Sequence, residues 1–216
     1  MPARMDSSQI PDSPNLHFES SLWSDSILHI AGLDEAGRGA WAGPVVAAAV
    51  VLPNDPSIVE ALFGVRDSKQ LSPEKRTLLS PRIKNIALAW GVGFSDPLEI
   101  DHFGIVPATR IAMQRALQDL KISPDHLLLD ALFLPENPTP QTALIKGDQR
   151  SLTIAAASIL AKTARDDWML DMHIEHPEYG FDRHKGYGTK IHQNALLKNG
   201  KTPIHRLSFK PLRNIS

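Results

Sequence analysis

Four acidic residues sit where apolar, strand-like segments end. Asp34 and Glu35 follow the apolar stretch 26–33, Asp130 follows 126–129, and Asp148 follows Gly147 after the short run 143–145. In open α/β sheets ligands bind at the carboxyl ends of strands, so acids on separate strand ends can gather at one edge. Crowded carboxylates repel one another, and their pKa values rise unless a cation neutralises them. A hard divalent ion with oxygen ligands answers that cost: Mg²⁺ takes one or two carboxylates, keeps waters and binds substrate phosphate. Two such ions about 4 Å apart can activate a water and stabilise the leaving oxygen of an in-line phosphoryl displacement. Each acid also has a plainer reading by itself. Asp148 could cap the helix that starts near Ser151, and Asp130 could simply end its strand. Adjacent side chains on an extended chain point to opposite faces. Asp34 and Glu35 therefore share one site only if the backbone twists or bulges, and Gly37, Gly39 and Gly43 follow them.

The elements that must hold these acids alternate between strand and helix, which makes the chain α/β. Residues 44–52 are nearly all Val and Ala and read as a short buried strand. With 26–33 they form an antiparallel pair across a glycine-studded turn. Ser72-Pro73-Glu74 opens a helix, with Ser at the N-cap and Pro at the first helical position; Ser80-Pro81 blurs its end. Residues 86–94 form a third strand, and 107–120 carry apolar side chains at helical spacing. The longest helix runs over 151–173, with an Ala-rich first half that permits close packing, and Pro177 ends it. The C-terminal region is helical and polar, with loops at Gly180, Gly186 and Gly200.

The chain has 216 residues, 42% hydrophobic and 22% charged, enough for one packed domain with an appended subdomain. Cysteine is absent, so no disulfide or thiolate metal site forms, and a reducing cytoplasm is the expected compartment. No apolar run approaches the ~20 residues of a membrane helix. Residues 1–26 mix Ser, Pro and Asp and are expected to be a mobile tail; the catalytic domain is placed at 27–176 and a helical, substrate-binding subdomain at 177–216. The formal net charge of −1 argues against indiscriminate coating of nucleic acid. The charge is uneven, however. From Arg183 onward come Lys185, Lys190, Lys198, Lys201, Arg206, Lys210 and Arg213, opposite the acidic end. Such a basic end can hold a polyanion, or be an ordinary solvated helical surface.

The order of the motifs narrows these readings. Gly32-Leu33-Asp34-Glu35-Ala36-Gly37-Arg38-Gly39, followed by Ala42-Gly43-Pro44-Val45-Val46-Ala47-Ala48-Ala49, closely resembles the opening motif of the ribonucleases HII. So do Asp67-Ser68-Lys69, Lys146-Gly147-Asp148 with the helix that follows, His184-Lys185-Gly186-Tyr187-Gly188-Thr189, and His205-Arg206 with Ser208-Phe209. The resemblance spans roughly residues 30–211. It implies an RNase H-like fold, a mixed central sheet flanked by helices with a C-terminal helical subdomain. It implies Mg²⁺ or Mn²⁺, two ions during catalysis, held by Asp34, Glu35, Asp130 and Asp148. The family usually has glycine after the third acid, where this chain has Ala131.

By the same resemblance, Gly37-Arg38-Gly39 reads the ribonucleotide: without a Cβ, backbone groups approach the sugar closely, and the 2′-hydroxyl is what separates RNA from DNA. Tyr187 packs on the sugar of the next deoxynucleotide, Lys69 anchors a phosphate, and Lys185 joins the substrate-binding set. The activity implied is hydrolysis of RNA–DNA hybrids and incision 5′ to ribonucleotides embedded in duplex DNA, by a monomer with no membrane partner. A resolvase- or integrase-like nuclease would instead cut all-DNA junctions. A metal-dependent phosphatase would hydrolyse small esters, and a non-catalytic hybrid-binding protein would need a broken acidic set.

Overall fold

The structure is a computed structural model and describes residues 10–213. The first helix, α1 (His17–Ser24), precedes the hairpin of β1 (Ile30–Ala36) and β2 (Val45–Val51). A short turn of helix, α2 (Ile58–Ala61), leads to α3 (Pro73–Ile86) and β3 (Ala89–Ser95). Helices α4 (Pro97–Phe103) and α5 (Ile105–Asp119) follow, then β4 (His126–Asp130), β5 (Gln141–Leu144) and the long α6 (Leu152–Glu175). The strands form one mixed sheet of order β3-β2-β1-β4-β5. β1 runs antiparallel to β2 and parallel to β4, and β5 runs parallel to β4.

The sequence of β2, VVAAAVV, is buried at every position, as a strand covered on both faces must be. Its alternate residues enter two cores. Ala48 and Val50 pack with Ile30 of β1 and with Ala155, Ala156 and Ile159 of α6. Ala47, Ala49 and Val51 pack with Leu33 of β1 and with Ala108, Ala112 and Met113 of α5. The small residues of α6 let its first turn lie directly on β1. A Cβ at Gly32 would collide with the backbone at Thr153 and Ile154.

The expected mobile tail needs correction. Residues 1–9 lie outside the described residues, but 10–26 are built into the fold. Asn15 bridges to Ser151, and Leu16 and Trp23 are part of the sheet–α6 core. Glu19 is fully buried; its carboxylate accepts from Ser151 Oγ at 2.6 Å and from the Thr153 N–H at 3.0 Å, satisfying a donor at the start of α6. The Ser and Asp residues of this segment face outward and concealed a short apolar stripe. Helix α3 also runs through Pro81 rather than blurring there, and α4 escaped the sequence reading although Asp96 and Glu99 form a capping box around its start.

Beyond Pro177 the chain forms α7 (Phe181–His184), α8 (Lys190–Asn199) and α9 (Lys210–Arg213). They surround a third apolar cluster of Tyr179, Phe181, Leu196 and Leu212, which also takes in Ala42 from the β1–β2 turn and Met169 from α6. This region holds a packed core that its polar sequence does not suggest. His184, His192, His205 and Arg206 are all buried, which removes Arg206 from the expected basic surface.

Candidate active site

Because β1, β4 and β5 run parallel, their carboxyl ends meet at one edge of the sheet. Asp34 lies in β1, Asp130 is the last residue of β4, and Asp148 lies in a 3-10 turn (Gly147–Gln149) just after β5. Each offers a carboxylate oxygen, and these oxygens lie within 4.8 Å of one another. The turn and the strand end are tied together: the Gly147 N–H donates to Asp130 Oδ1 at 2.8 Å. Asp148 does not cap α6; Ser151 does, accepting from the Ile154 N–H at 3.1 Å.

Glu35 stands beside this trio. The β1–β2 register is unbroken from Ala31 to Ala36, yet after burial Glu35 is the foremost of the charges that raise Asp34, and Asp130 in turn raises Glu35, so the Glu35 carboxylate acts on the cluster without a bulge in the strand. Arg38 Nη1 holds Glu35 Oε1 at 3.0 Å. Of the four acids expected together, three have carboxylate oxygens within 4.8 Å of one another, and Glu35 interacts with them electrostatically.

The electrostatics of the site are those of an acidic cluster in need of a cation. Burial raises the Asp34 carboxyl well above its ordinary value, and Glu35, Asp130 and Asp148 push it further. Burial likewise raises Glu35 and Asp130. Asp148 is pushed up to about 6 by burial and by the charges of Asp130 and Asp67. Asp34 Oδ2 and Glu35 Oε2 are buried with no hydrogen-bond partner among the described residues, a costly state for acceptor oxygens. A hard divalent cation fits this oxygen-only donor set.

Lys69 and Asp67 border the cluster. Lys69 Nζ lies 3.5 Å from Asp148 Oδ2 and 3.9 Å from Asp67 Oδ1. Partial burial works against the Lys69 charge, but Asp34, Asp67, Asp148 and Asp130 together outweigh it and raise its pKa. Asp67 is buried, accepts from the Lys69 N–H at 2.9 Å and is reached by Gln149 Nε2 at 3.3 Å. The sequence reading took the lysine from the Asp67-Ser68-Lys69 motif and passed over the aspartate. Its signal was its place two residues before that lysine, at the N-cap of a 3-10 turn.

A cleft of about 610 Å³ adjoins the cluster through Glu35 and Lys69, and is lined further by Arg38, Gly39, Lys162 and Tyr187. Two buried arginines hold its walls. Arg165 donates to the carbonyls of Pro44, Lys185 and Ala42, each at 3.0 Å. Arg206 donates to Gly43 O at 2.8 Å and to Arg38 O at 3.0 Å. Gly37 has φ +93°, and the Arg165 side chain fills the space its Cβ would need, so that position admits only glycine. The chain neighbour of Arg165, Asp166, pairs with Arg76 and Lys162, leaving Arg165 to the backbone.

The Tyr187 ring is 37% exposed at the cleft mouth, with Arg165 at 5.4 Å and Lys162 at 5.8 Å from its ring centre. Lys185 is half-buried, and its ammonium is tied to the Asp182 carbonyl. It lines a smaller cavity of about 300 Å³ that also touches Tyr187.

Comparison with known proteins decides what this site belongs to. The sequence profile described as ribonuclease HII matches residues 31–212. The chain belongs to the ribonuclease HII family. With that membership comes its enzyme class, a type 2 ribonuclease H endonuclease. Ribonuclease HII from Halalkalibacterium halodurans is 50% identical over 198 residues, covering 92% of this chain and 73% of that protein. The ribonuclease H2 structure from Pyrococcus horikoshii is 29% identical with a TM-score of 0.73, covering 87% of this chain and 97% of that one. Bst-RNase HIII, solved in complex with Mn²⁺, is 21% identical with a TM-score of 0.67, covering 86% and 68%, a likeness of fold.

This ribonuclease HII chain departs from the glycine expected after its third acid, and the backbone shows what glycine would do there. Ala131 has φ +55°, the left-handed region where a Cβ is crowded against the following carbonyl. Alanine holds the same turn under strain, so Asp130 keeps its place.

Proposed function

We propose that this protein hydrolyses the RNA strand of RNA–DNA hybrids and incises on the 5′ side of single ribonucleotides embedded in duplex DNA, leaving 5′-phosphate and 3′-hydroxyl ends. The observation that carries this reading is the approach of the Asp34, Asp130 and Asp148 carboxylates beside a cleft lined by Glu35, Arg38, Gly39, Lys69 and Tyr187, with Lys69 3.5 Å from Asp148.

Asp34, Asp130 and Asp148 would hold Mg²⁺ or Mn²⁺, with Glu35 and its free oxygen at the edge of the same centre. Bound there, two divalent ions supply an activated water and stabilise the leaving oxygen. The chain's own groups do the rest. Lys69 places a positive charge beside Asp148, where a substrate phosphate would meet it. The Gly37-Arg38-Gly39 backbone lies against the ribose, and the Tyr187 ring packs on the next sugar, where a 2′-hydroxyl would be crowded out. Lys185 and the exposed C-terminal lysines meet phosphates further along the duplex. The implied work is removal of misincorporated ribonucleotides and of primers in the cytoplasm, by a monomer.

The test is a labelled duplex with one ribonucleotide, incubated with Mg²⁺, with Mn²⁺ and with chelator, beside an all-DNA duplex. Cleavage 5′ to the ribonucleotide that needs the metal supports the reading. Equal cutting of the all-DNA duplex, or metal-independent cleavage, would overturn it.

A further inference from the structure

Away from the acids, the C-terminal region encloses a chain of buried histidines. His192 Nε2 lies 3.0 Å from His205 Nε2. Two ring nitrogens in contact need one proton between them, and the outer partners decide which ring supplies it. His192 Nδ1 lies 3.1 Å from the Tyr187 carbonyl oxygen, which can only accept. Nδ1 of His192 therefore carries the hydrogen, and its Nε2 accepts. His205 Nδ1 accepts from the Thr202 N–H at 2.9 Å and lies 2.8 Å from Thr202 Oγ1, so the His205 hydrogen is on Nε2. The Thr202 carbonyl, at 3.3 Å from the same nitrogen, is the longer contact. The result is a one-way sequence of donors: Thr202 N–H to His205, His205 to His192, His192 to the Tyr187 carbonyl.

The sequence holds only while both rings are neutral, since a second proton on either places two donors against each other or against the Thr202 N–H. Burial keeps them so. It pushes both down to about 4, with His184 adding to the effect on His192, and His192, His176 and His184 adding to that on His205. The titratable side chains in ring contact with the pair are His184, stacked on His192 at 4.6 Å, and Tyr179, 5.2 Å from His205. His184 is also satisfied as a neutral ring, with Nε2 2.8 Å from the Tyr179 carbonyl and Nδ1 accepting from the Gly186 N–H.

Tyr187 is where this arrangement meets the cleft. Its N–H donates to His184 O at 2.9 Å, and its carbonyl accepts from His192 and from the Thr189 N–H at 2.8 Å. The backbone of a residue with an exposed ring is thus held at both ends by a buried network. We propose that His192 and His205 are positioning residues for Tyr187, fixing through its carbonyl the height and tilt at which the ring is presented to the substrate. The inference rests on the reading of Tyr187 as a substrate contact.

The experiment is a double-mutant cycle on a duplex with one ribonucleotide, using His205→Gln, His192→Leu and Tyr187→Ala, with Mn²⁺ binding and thermal stability measured alongside. If the histidines act through Tyr187, each histidine variant lowers kcat/KM, by up to about 100-fold, because small misplacements of a positioning group are costly. In the Tyr187→Ala background the same change then has little further effect, a failure of additivity that marks coupled residues. His205→Gln keeps an amide donor toward His192 and so loses less than His192→Leu. Additive losses in the two backgrounds would overturn the inference. No loss from Tyr187→Ala itself would instead sink the reading of Tyr187 as a substrate contact. Should a histidine variant fail to fold, ¹⁵N spectra of the parent still decide. Hydrogen on Nδ1 of His192 and on Nε2 of His205 at pH 7 is the expected pattern, and the opposite pair of tautomers overturns it.

Discussion

The backbone N–H of Gly147 donates to Asp130 Oδ1 at 2.8 Å. One carboxylate oxygen of Asp130 is thereby committed to the turn that carries Asp148, and the position of either acid constrains the other. This bond separates two roles that a single substitution would confuse. Asp130→Asn keeps an oxygen for Gly147 and removes a charge that burial disfavours, so the metal-free protein should be at least as stable as the parent while cleavage falls by orders of magnitude. Asp130→Ala also strands the Gly147 N–H, which should cost a further 1–3 kcal/mol or about that. Thermal melts and single-turnover rates on both variants check the split. Near-normal turnover by Asp130→Asn would remove Asp130 from the site.

Stability of the metal-free protein should respond to pH in two opposed ways. Asp148 is raised from the ordinary 3.8 to about 6 by burial and its acidic neighbours. Its stabilising contribution is complete below about 4 and is lost as pH rises through about 6. His192 and His205 are lowered from 6.5 to about 4 by burial. Their contribution is complete above about 6.5 and is lost as pH falls toward 4. The Asp148→Asn variant should therefore gain stability over the parent near pH 7 in chelator, and the gain should shrink toward pH 4. Adding Mg²⁺ should stabilise the parent at pH 7 much more than the variant. Equal Mg²⁺ responses would show that Asp148 holds no cation.

Ala131 offers a stability test without a functional one. Its φ of +55° is a conformation that costs an L-residue roughly 1–2 kcal/mol, partly offset by glycine's greater freedom in the unfolded chain. Ala131→Gly should stabilise the protein by roughly 0.5–1 kcal/mol, a Tm rise of about 1–4 °C for a chain of this size, with activity retained. A fall in Tm would mean the alanine methyl makes contacts that outweigh its strain.

Duplex binding should weaken steeply with salt, because phosphate contacts release counterions. Lys185→Gln with Lys190→Gln should lower the slope of log affinity against log salt by about 1–2 and weaken all duplexes alike, since such contacts carry no sequence information. Lys185, already tied to the Asp182 carbonyl, should account for the smaller share. A parental slope in the double variant would place the basic end away from the nucleic acid.

Much of the site was legible one residue at a time. The run VVAAAVV announces a strand covered on both faces, and apolar segments ending in acids announce a loaded sheet edge, because burial and alternation are local consequences of side-chain type. The start of α1 was illegible for the same reason: Leu16, Phe18, Leu22 and Trp23 are too few to stand out among Ser and Asp until α6 is there to receive them. Whether Glu35 joins Asp34 could be stated from the sequence only as a condition on the backbone; in the structure the two charges act on each other with the β1–β2 register unbroken.

By itself the sequence determined which residues carry charge, which strands must be buried and in what order the motifs come, because these depend on side-chain chemistry and near neighbours. The tertiary structure alone decided that Asp34, Asp130 and Asp148 meet, since that follows from parallel pairing of strands about a hundred residues apart. It alone turned Arg165 and Arg206 inward onto backbone carbonyls and gave His192 and His205 their direction. Each of those partners is remote in the chain or silent in it: a carbonyl is the same group at every residue, and only the fold selects which one a buried side chain will reach.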